Sequence, residues 1–578
     1  MTSIEGFEGQ IERVDDVPVL FGLLQQMGVQ SILDSGIQPH GNWQGLSPGW
    51  VSTIWLMHIL SQQNHLMEPV QMWVQQHLTT LRRLTGQAVE ELDFTDDRLA
   101  LCLEYLYDKV RWQTIEADLG SRLIRFYNLD SDVLRLDATV GTVQHELGPQ
   151  HKLFKVGKAK NGLYETQFKL MLASLDPLGL TLVVDVLPGN QADDPLYVPS
   201  YVRAKTIIKR TGVLVVGDSK MSALATRATI VEGQDHYLTP LAELKDEPGL
   251  LTELLRPWQG REAEATRIFL PEDISADGSE ADPKQALAYG FEVSRPRRAT
   301  VEGRTITWVE RLLVIRSFGY VQTMQASLRR HVDQAEAELR DLTPLRQRGK
   351  RQIQDEASLL AAIAQIEKKY HVQGLFHIDH QVEVKEQSIR AYQDKPARVE
   401  RKVRYHLNVK RNEAAITAAE FQAGWRIYAT NTPVDKLSLA QAVLAYREQY
   451  IEENVFRRLQ GKFLSITPLY IQRDDHAEGL FHLLTIGARL LALGDYLAQQ
   501  ALAKAKAVLT EVYAGNPNRG TARPTTERML KAFEGINLLI IPSATQSSYY
   551  LTRLSSVQER ILALLGLSRS LYTSLQTA

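Results

Sequence analysis

The sequence predicts an α/β protein: a mixed β-sheet with flanking helices, preceded by a helical region and interrupted by a β-rich segment. Three observations predict it. Residues 1–130 carry helix-period apolar stretches and no strand alternation. From residue 133 the pattern becomes β-β-β-α-β-α-β, three strands able to meander followed by strands that alternate with helices. Residues 245–420 form a separate composition, in which strand-like pieces surround a charged helical stretch.

The elements follow in order. Residues 17–27 and 48–63 repeat at helical spacing, and Thr95 stands as an N-cap before Leu99, Leu101 and Leu103. Residues 133–140 (VLRLDATV) read as a strand. Residues 168–175 and 180–187 read as two more, joined by the turn Asp176-Pro177-Leu178-Gly179. Pro188-Gly189-Asn190 breaks the chain, a helix spans 195–210, and 212–218 (GVLVVGD) is a buried strand. A helix near 222–231 and a short strand at 236–240 complete this part. Strand-like runs at 265–269, 305–315, 374–384 and 402–409 flank the helical stretch 324–370, which Pro344 and Gly349 interrupt. A strand at 424–430 precedes a helix from 438 to 459, and the chain from about 480 reads as helical, with a Pro/Gly/Asn/Arg-rich loop at 515–524. The boundaries are therefore 1–130, 131–244, 245–432, 433–500 and 501–578.

Composition sets the class. The chain has 578 residues, 44% hydrophobic and 23% charged, which excludes a disordered or fibrous protein. A lone cysteine, Cys102, excludes a disulfide framework or a Cys-based zinc site within one chain and points to a reducing compartment. No apolar run approaches the ~18 residues of a membrane span. The best candidate, residues 50–60, contains His58, and residues 1–10 hold Glu5 and Glu8 with no basic start. A cytoplasmic protein without membrane contact is expected.

Net charge is −2, so no global field favours nucleic acid. Locally, residues 398–411 (RVERKVRYHLNVKR) hold six Lys/Arg against Glu400, and residues 346–351 (RQRGKR) hold four basic residues and no acid. Such stripes fit either a bound polyanion or a solvated face balanced by acidic neighbours.

Two aspartates sit in apolar strands: Asp137 in LRLDATV and Asp218 ending VLVVGDSK. An ionised carboxylate there requires a cation, either a divalent metal or a basic side chain, or else a capping role. Asp185 reads as a decoy, and Asp193 and Asp194 as caps of the next helix. In the helix 438–459, Leu439, Val443, Tyr446 and Tyr450 form one stripe whose next step lands on Glu453, then on Arg457 and Gln460. Glu452 falls more than a quarter turn away.

These residues carry a family resemblance. The chain resembles the DDE transposases of bacterial insertion sequences, in the branch with a β-rich insertion inside an RNase H-like domain. LRLDATV is similar to the strand bearing the first Asp. LPGNQADD through VLVVGDSKMS is similar to the segment bearing the second. AYREQYIEENVFRRLQG is similar to the helix bearing the Glu, which stands three residues before a Phe in the family and so selects Glu453 before Phe456. The tail from PTTERMLKAF to ERILALLGL also matches. The Tyr–Arg–Glu–Lys signature is met at Tyr446 and Glu453, whereas Gln449 and Gln460 stand at its Arg and Lys positions, with Arg447 and Lys462 close by.

The resemblance implies an RNase H-like core, in parts 131–244 and 433–500, split by the insertion 245–432. It implies cleavage at element ends and transfer of the 3′-OH into target DNA. Asp137, Asp218 and Glu453 would hold two Mg²⁺ (or Mn²⁺) ions, Asp137 bridging them. Arg447, Arg457 and Lys462 would contact phosphates and Tyr446 would stack near the end. The basic strand with Arg401, Lys402, Arg404, Lys410 and Arg411 would hold DNA. The implied partners are double-stranded terminal inverted repeats and target DNA, bound by a homodimer without a nucleotide cofactor. Two alternatives are a metal-dependent nuclease of the same fold and a catalytically inactive DNA-binding derivative. A glycosidase finds no support in clustered Trp and acid motifs, nor a zinc hydrolase in any HExxH.

Overall fold

The computed structural model describes residues 9–576 except 144–150, 160–161, 242–246, 274–281, 283–284, 344–352, 354, 391–397, 467–468, 470 and 544–545. The basic run 346–351 lies outside the described residues. The chain divides into two compact units, one of residues 1–239, 296–308 and 445–578, the other of 240–295 and 309–444.

The first unit is built on a mixed sheet. Its five long-range strands are Val133–Thr142, Tyr164–Leu175, Leu180–Pro188, Leu214–Gly217 and His236–Pro240. Tyr164–Leu175 lies between Leu180–Pro188 and Val133–Thr142, antiparallel to both. Leu214–Gly217 then pairs parallel with Val133–Thr142, and His236–Pro240 parallel with Leu214–Gly217. Taken in chain order the strands lie 3-2-1-4-5, the RNase H-like arrangement. Two hairpin steps need only short turns; the parallel additions need crossovers, supplied by the helices Tyr197–Ile208 and Leu224–Glu232. A short strand, Lys155–Lys158, adds to Tyr164–Leu175 and was not legible in the sequence.

Strand burial explains the apolar runs. Leu170, Leu172, Leu182, Val183, Val184, Val215 and Val216 are almost wholly buried, because helices cover the sheet. The helix Asp474–Ala505 runs through this core. It has the length and hydropathy of a membrane span, correcting the expectation that no such segment exists, but 83% of its apolar window is buried within the protein. Gly479 is obligatory there: a Cβ would stand 2.2 Å from the Leu103 carbonyl oxygen of helix Asp96–Tyr107. The terminal parts are not all-helical. Gln10–Arg13, Asn537–Ile541 and Ser548–Leu551 form a three-stranded sheet.

In the second unit, Arg304–Ser317 pairs antiparallel with Trp425–Thr430, Leu313 opposite Tyr428. A two-stranded ribbon, Phe376–Ile389 with Arg398–Arg411, pairs over its full length. One face of it packs on helices Phe318–Asp341 and Glu356–Tyr370 through Tyr405 and Val409 against Val332, Leu339, Leu359 and Ile363.

Candidate active site

The site is assembled within the first unit. Leu136 pairs with Gly217 across the parallel strands, and Asp137 and Asp218 each follow by one residue. They therefore stand at the same level of neighbouring strands, Asp137 in mid-strand and Asp218 just past its strand's end, with strand spacing of about 4.8 Å. Both are partly exposed. Asp137 Oδ1 accepts from the Ala138 amide at 2.8 Å. Asp218 Oδ1 accepts from the Tyr197 hydroxyl at 2.6 Å and from the Lys220 amide at 2.9 Å. The capping role considered for Asp218 is thus real, but what it caps is the start of the short 3₁₀ turn Ser219–Ser222.

The glutamate that the structure brings beside Asp137 and Asp218 is Glu452, the neighbour of the expected Glu453. Glu452 is 4% exposed, and its Oε1 has no hydrogen-bond partner. Burial pushes its carboxyl well above the usual range; Asp137 pushes the same way, Arg135 opposes, and Asp218 adds to the rise. Glu453 is exposed, as are Arg457 and Gln460. The stripe is not one face: Leu439 and Val443 are buried, whereas Tyr450, Glu453, Arg457 and Gln460 face solvent.

The cause is a break in the helix. Leu439–Arg447 ends, Glu448 and Gln449 form a turn, and Tyr450–Gln460 starts anew. The phase carried from Leu439 through Tyr450 is lost there, and Tyr450 is exposed. In the second segment Ile451, Glu452, Val455, Phe456 and Leu459 are buried. At 100° per residue Glu452 lies near the centre of that face and Glu453 roughly 130° from it. The spacing of Ile451, Val455, Phe456 and Leu459, read without the preceding helix, carries this signal.

Two contacts seat the segment. Gly179, at φ +65° in the hairpin turn, would place a Cβ 3.0 Å from Val455 Cγ2 and 3.2 Å from Ile451 Cγ2, so only glycine allows both the turn and the approach. Arg135, two residues before Asp137 and 1% exposed, pairs with Asp176 at 2.6 Å, donates to the Ala445 carbonyl at 2.6 Å, and lies 3.6 Å from Glu448. Tyr197 and Arg135 were not singled out by sequence reasoning. An arginine inside an apolar strand is the signal for one, since a buried guanidinium requires carboxylate or carbonyl partners.

The decoy reading of Asp185 is consistent with its contacts: it accepts from Ser200 Oγ at 2.7 Å and pairs with Arg203. Asp193 pairs with Lys169 and makes no side-chain cap. Among the described residues, Glu104, Asp475 and His476 bring ligand atoms within 4.8 Å of one another. Arg473 already bonds both acids there, Glu104 at 2.8 Å and Asp475 through Nε at 3.0 Å.

The proposed DNA contacts are distributed unevenly. Arg447, Arg457 and Lys462 are exposed, and Tyr446 is half-buried. On the ribbon, Arg401 stands opposite Glu386, Arg404 opposite Glu383 and Lys410 opposite His377. Arg411 is held by Asp333 at 2.7 Å and Glu336 at 2.6 Å. The Lys402 side chain lies outside the described residues. The run that looks basic along one strand is therefore partly neutralised by the other strand and a helix.

The chain belongs to the transposase DDE domain family, whose model matches residues 128–491. That span contains Asp137, Asp218 and Glu452. No curated protein matches the chain. Among solved structures it is similar to a piggyBac transposase synaptic complex with hairpin DNA, at 9% identity and TM-score 0.35, covering 98% of this chain and 83% of that one.

Proposed function

We propose that the protein is an insertion-sequence transposase that cuts the ends of its element and joins the freed 3′-OH to target DNA. The observation that carries this is the pairing of Asp137 and Asp218 at one level of adjacent parallel strands, with the buried, unpartnered Glu452 coupled to both. An orphaned carboxylate oxygen beside two more acids fits hard divalent cations of the Mg²⁺ or Mn²⁺ type. Bound there, such ions would activate the attacking oxygen and stabilise the leaving one.

The protein's own groups prepare this chemistry. Tyr197 fixes the Asp218 carboxylate through its 2.6 Å hydrogen bond. Arg135 ties the Ala445 carbonyl, just ahead of the Glu452 segment, to the strand bearing Asp137. Arg447, Arg457 and Lys462 offer exposed cations to phosphates. In the first step water attacks phosphorus, the P–O3′ bond breaks and a 3′-OH is left. In the second that 3′ oxygen attacks a target phosphorus, and a target 3′ oxygen leaves. Neither step needs a covalent protein intermediate or a nucleotide. Bringing two ends together calls for two sites, hence a homodimer on DNA, working in the cytoplasm.

The test is Mg²⁺-dependent cleavage and joining of an element-end duplex by wild type and by Asp137→Ala, Asp218→Ala, Glu452→Ala and Glu453→Ala. Loss in the first three and retention in the last is expected. Cleavage without joining would make the protein a nuclease; binding without cleavage by wild type would make it an inactive derivative.

A further inference from the structure

The Arg-rich loop after the long core helix is not used by the site above. It is an ordered feature. Leu509 and Thr521 exchange backbone hydrogen bonds at 2.9 Å, the Glu511 amide donates to the Pro517 carbonyl at 3.0 Å, and the Asn516 amide to the Tyr513 carbonyl at 3.1 Å. On this frame Arg519 and Arg528 each hold a guanidinium carbon 4.2 Å from the centroid of the Tyr513 ring. Two like charges are thus gathered on one aromatic platform. Lys504, Lys506, Arg519 and Arg523 are exposed, and Arg528 is half-exposed. Among the described residues none of these five has a carboxylate within ion-pair distance. The acid next to Arg528, Glu527, is already taken by Arg458 at 2.9 Å.

Other exposed arginines do meet acids: Arg261 pairs with Glu264, and Arg411 with Asp333 and Glu336. Here like charges are pre-positioned and, among the described residues, no carboxylate balances them, an arrangement that suits a polyanion with charges in a row. The patch is also tied to the site. Arg458 belongs to the Glu452 helix, six residues on, or about 9 Å along its axis. Asp495, which Arg458 also holds, accepts from the Thr526 amide at 2.6 Å, at the start of the helix bearing Arg528.

We infer that the Tyr513 platform, with Arg519, Arg528, Lys504, Lys506 and Arg523, is a second docking surface for the phosphate backbone of duplex DNA beside the cut. This rests on the transposase reading above. The phosphates could belong to the element end or to the DNA outside it; the chemistry is the same.

The test is the salt dependence of duplex binding, followed by fluorescence anisotropy with the full-length protein. Each lost phosphate contact removes about 0.9 from the slope of log K against log salt, so Arg519→Gln/Arg528→Gln is expected to lower it by roughly 2. Arg261→Gln, which removes a single charge off the patch, is expected to leave the slope alone. Tyr513→Phe should bind as wild type and Tyr513→Ala more weakly, because the platform and not the hydroxyl positions the cations. Thermal midpoints of the variants verify folding. A duplex trimmed on either side of the cut assigns the phosphates: the variant's defect disappears with the side that the patch holds. Wild-type binding with an unchanged slope in the double variant overturns the patch and leaves the transposase reading standing. A defect toward polyglutamate but not duplex overturns it in favour of an acidic protein. Absence of duplex binding by wild type overturns both.

Discussion

Two groups of acids, each with a buried glutamate, lie in the same unit and differ in how their charge is met. Glu116 and Asp185 bring their own cations. Arg203 bonds both, Arg489 lies 3.4 Å from Glu116, and the Val184 amide donates to Glu116 at 2.9 Å. The surplus donors of Arg489 reach the Thr181 and Leu182 carbonyls. Two acids and two arginines close the account internally. Around Glu452 the balance differs: Arg135, the guanidinium that opposes its raised pKa, is itself paired with Asp176, and Glu452 Oε1 has no hydrogen-bond partner. A structural cluster supplies its own donors; a buried carboxylate oxygen left without one is a candidate to receive a cation from outside.

The largest effect should come from changing the second group. Asp137→Asn, Asp218→Asn and Glu452→Gln are each expected to cost several kcal/mol of transition-state stabilisation, a drop on the order of 10³ in cleavage rate. Mg²⁺ should raise the thermal midpoint of wild type and not of these variants. Glu453→Gln should cleave within a few-fold of wild type. If Glu453→Gln were the dead variant, the corrected helix phase would be wrong.

The first group should respond in stability instead. Glu116→Met leaves Arg489, 0% exposed, without its carboxylate. A loss of about 3–5 kcal/mol in unfolding free energy is expected, read by denaturant unfolding, with Mg²⁺ binding retained by the protein that remains folded. A Glu116 variant as stable as wild type would erase the distinction between the groups.

Between these extremes stands Tyr197→Phe. It removes the hydroxyl bonded to Asp218 but not the ring, which is 1% exposed in the core. A hydrogen bond to a charged group contributes about 1.5–3 kcal/mol. The expected outcome is roughly a tenfold or greater loss of rate and a higher Mg²⁺ midpoint, with the thermal midpoint nearly kept. An unchanged Mg²⁺ midpoint would reduce Tyr197 to packing.

The sheet was largely legible because its strands are apolar and its turns are marked. Residues 133–140, 168–175 and 180–187 match the observed strands within a few positions. The same pattern exposed Asp137 and Asp218 as polar intrusions. Glu452 was missed for a local reason: a turn of two residues, Glu448 and Gln449, has no proline or glycine to announce it, yet it resets the helical phase. The acids that balance the basic ribbon were not legible for a non-local one. Glu383 and Glu386 oppose Arg404 and Arg401 only once the register is known, and Asp333 and Glu336 reach Arg411 from a helix far back in the chain. Pairing across sequence distance is what a single strand's composition does not encode.

The smallest effect concerns pH and again separates the groups. His482 stacks on Trp112 at 4.3 Å beside the Arg203–Arg489 cluster. Burial lowers its pKa from 6.5 to about 3, and the two arginines push the same way. The unfolded chain therefore binds a proton below pH 6.5 that the folded protein refuses, and stability is lost as pH falls from there toward 3. Glu116 works in the opposite direction: burial outweighs its arginines and raises it to about 7, so the folded protein takes up a proton between pH 7 and the usual 4.5 that the unfolded chain does not. The two contributions oppose each other over the shared range. Compared with His482→Asn, wild type should lose about 1 kcal/mol of stability between pH 6.5 and 5.5, measured by urea unfolding at each pH. A pH-independent difference would show that His482 titrates normally in the folded protein, and that the cluster is wetter than its closed hydrogen bonding implies.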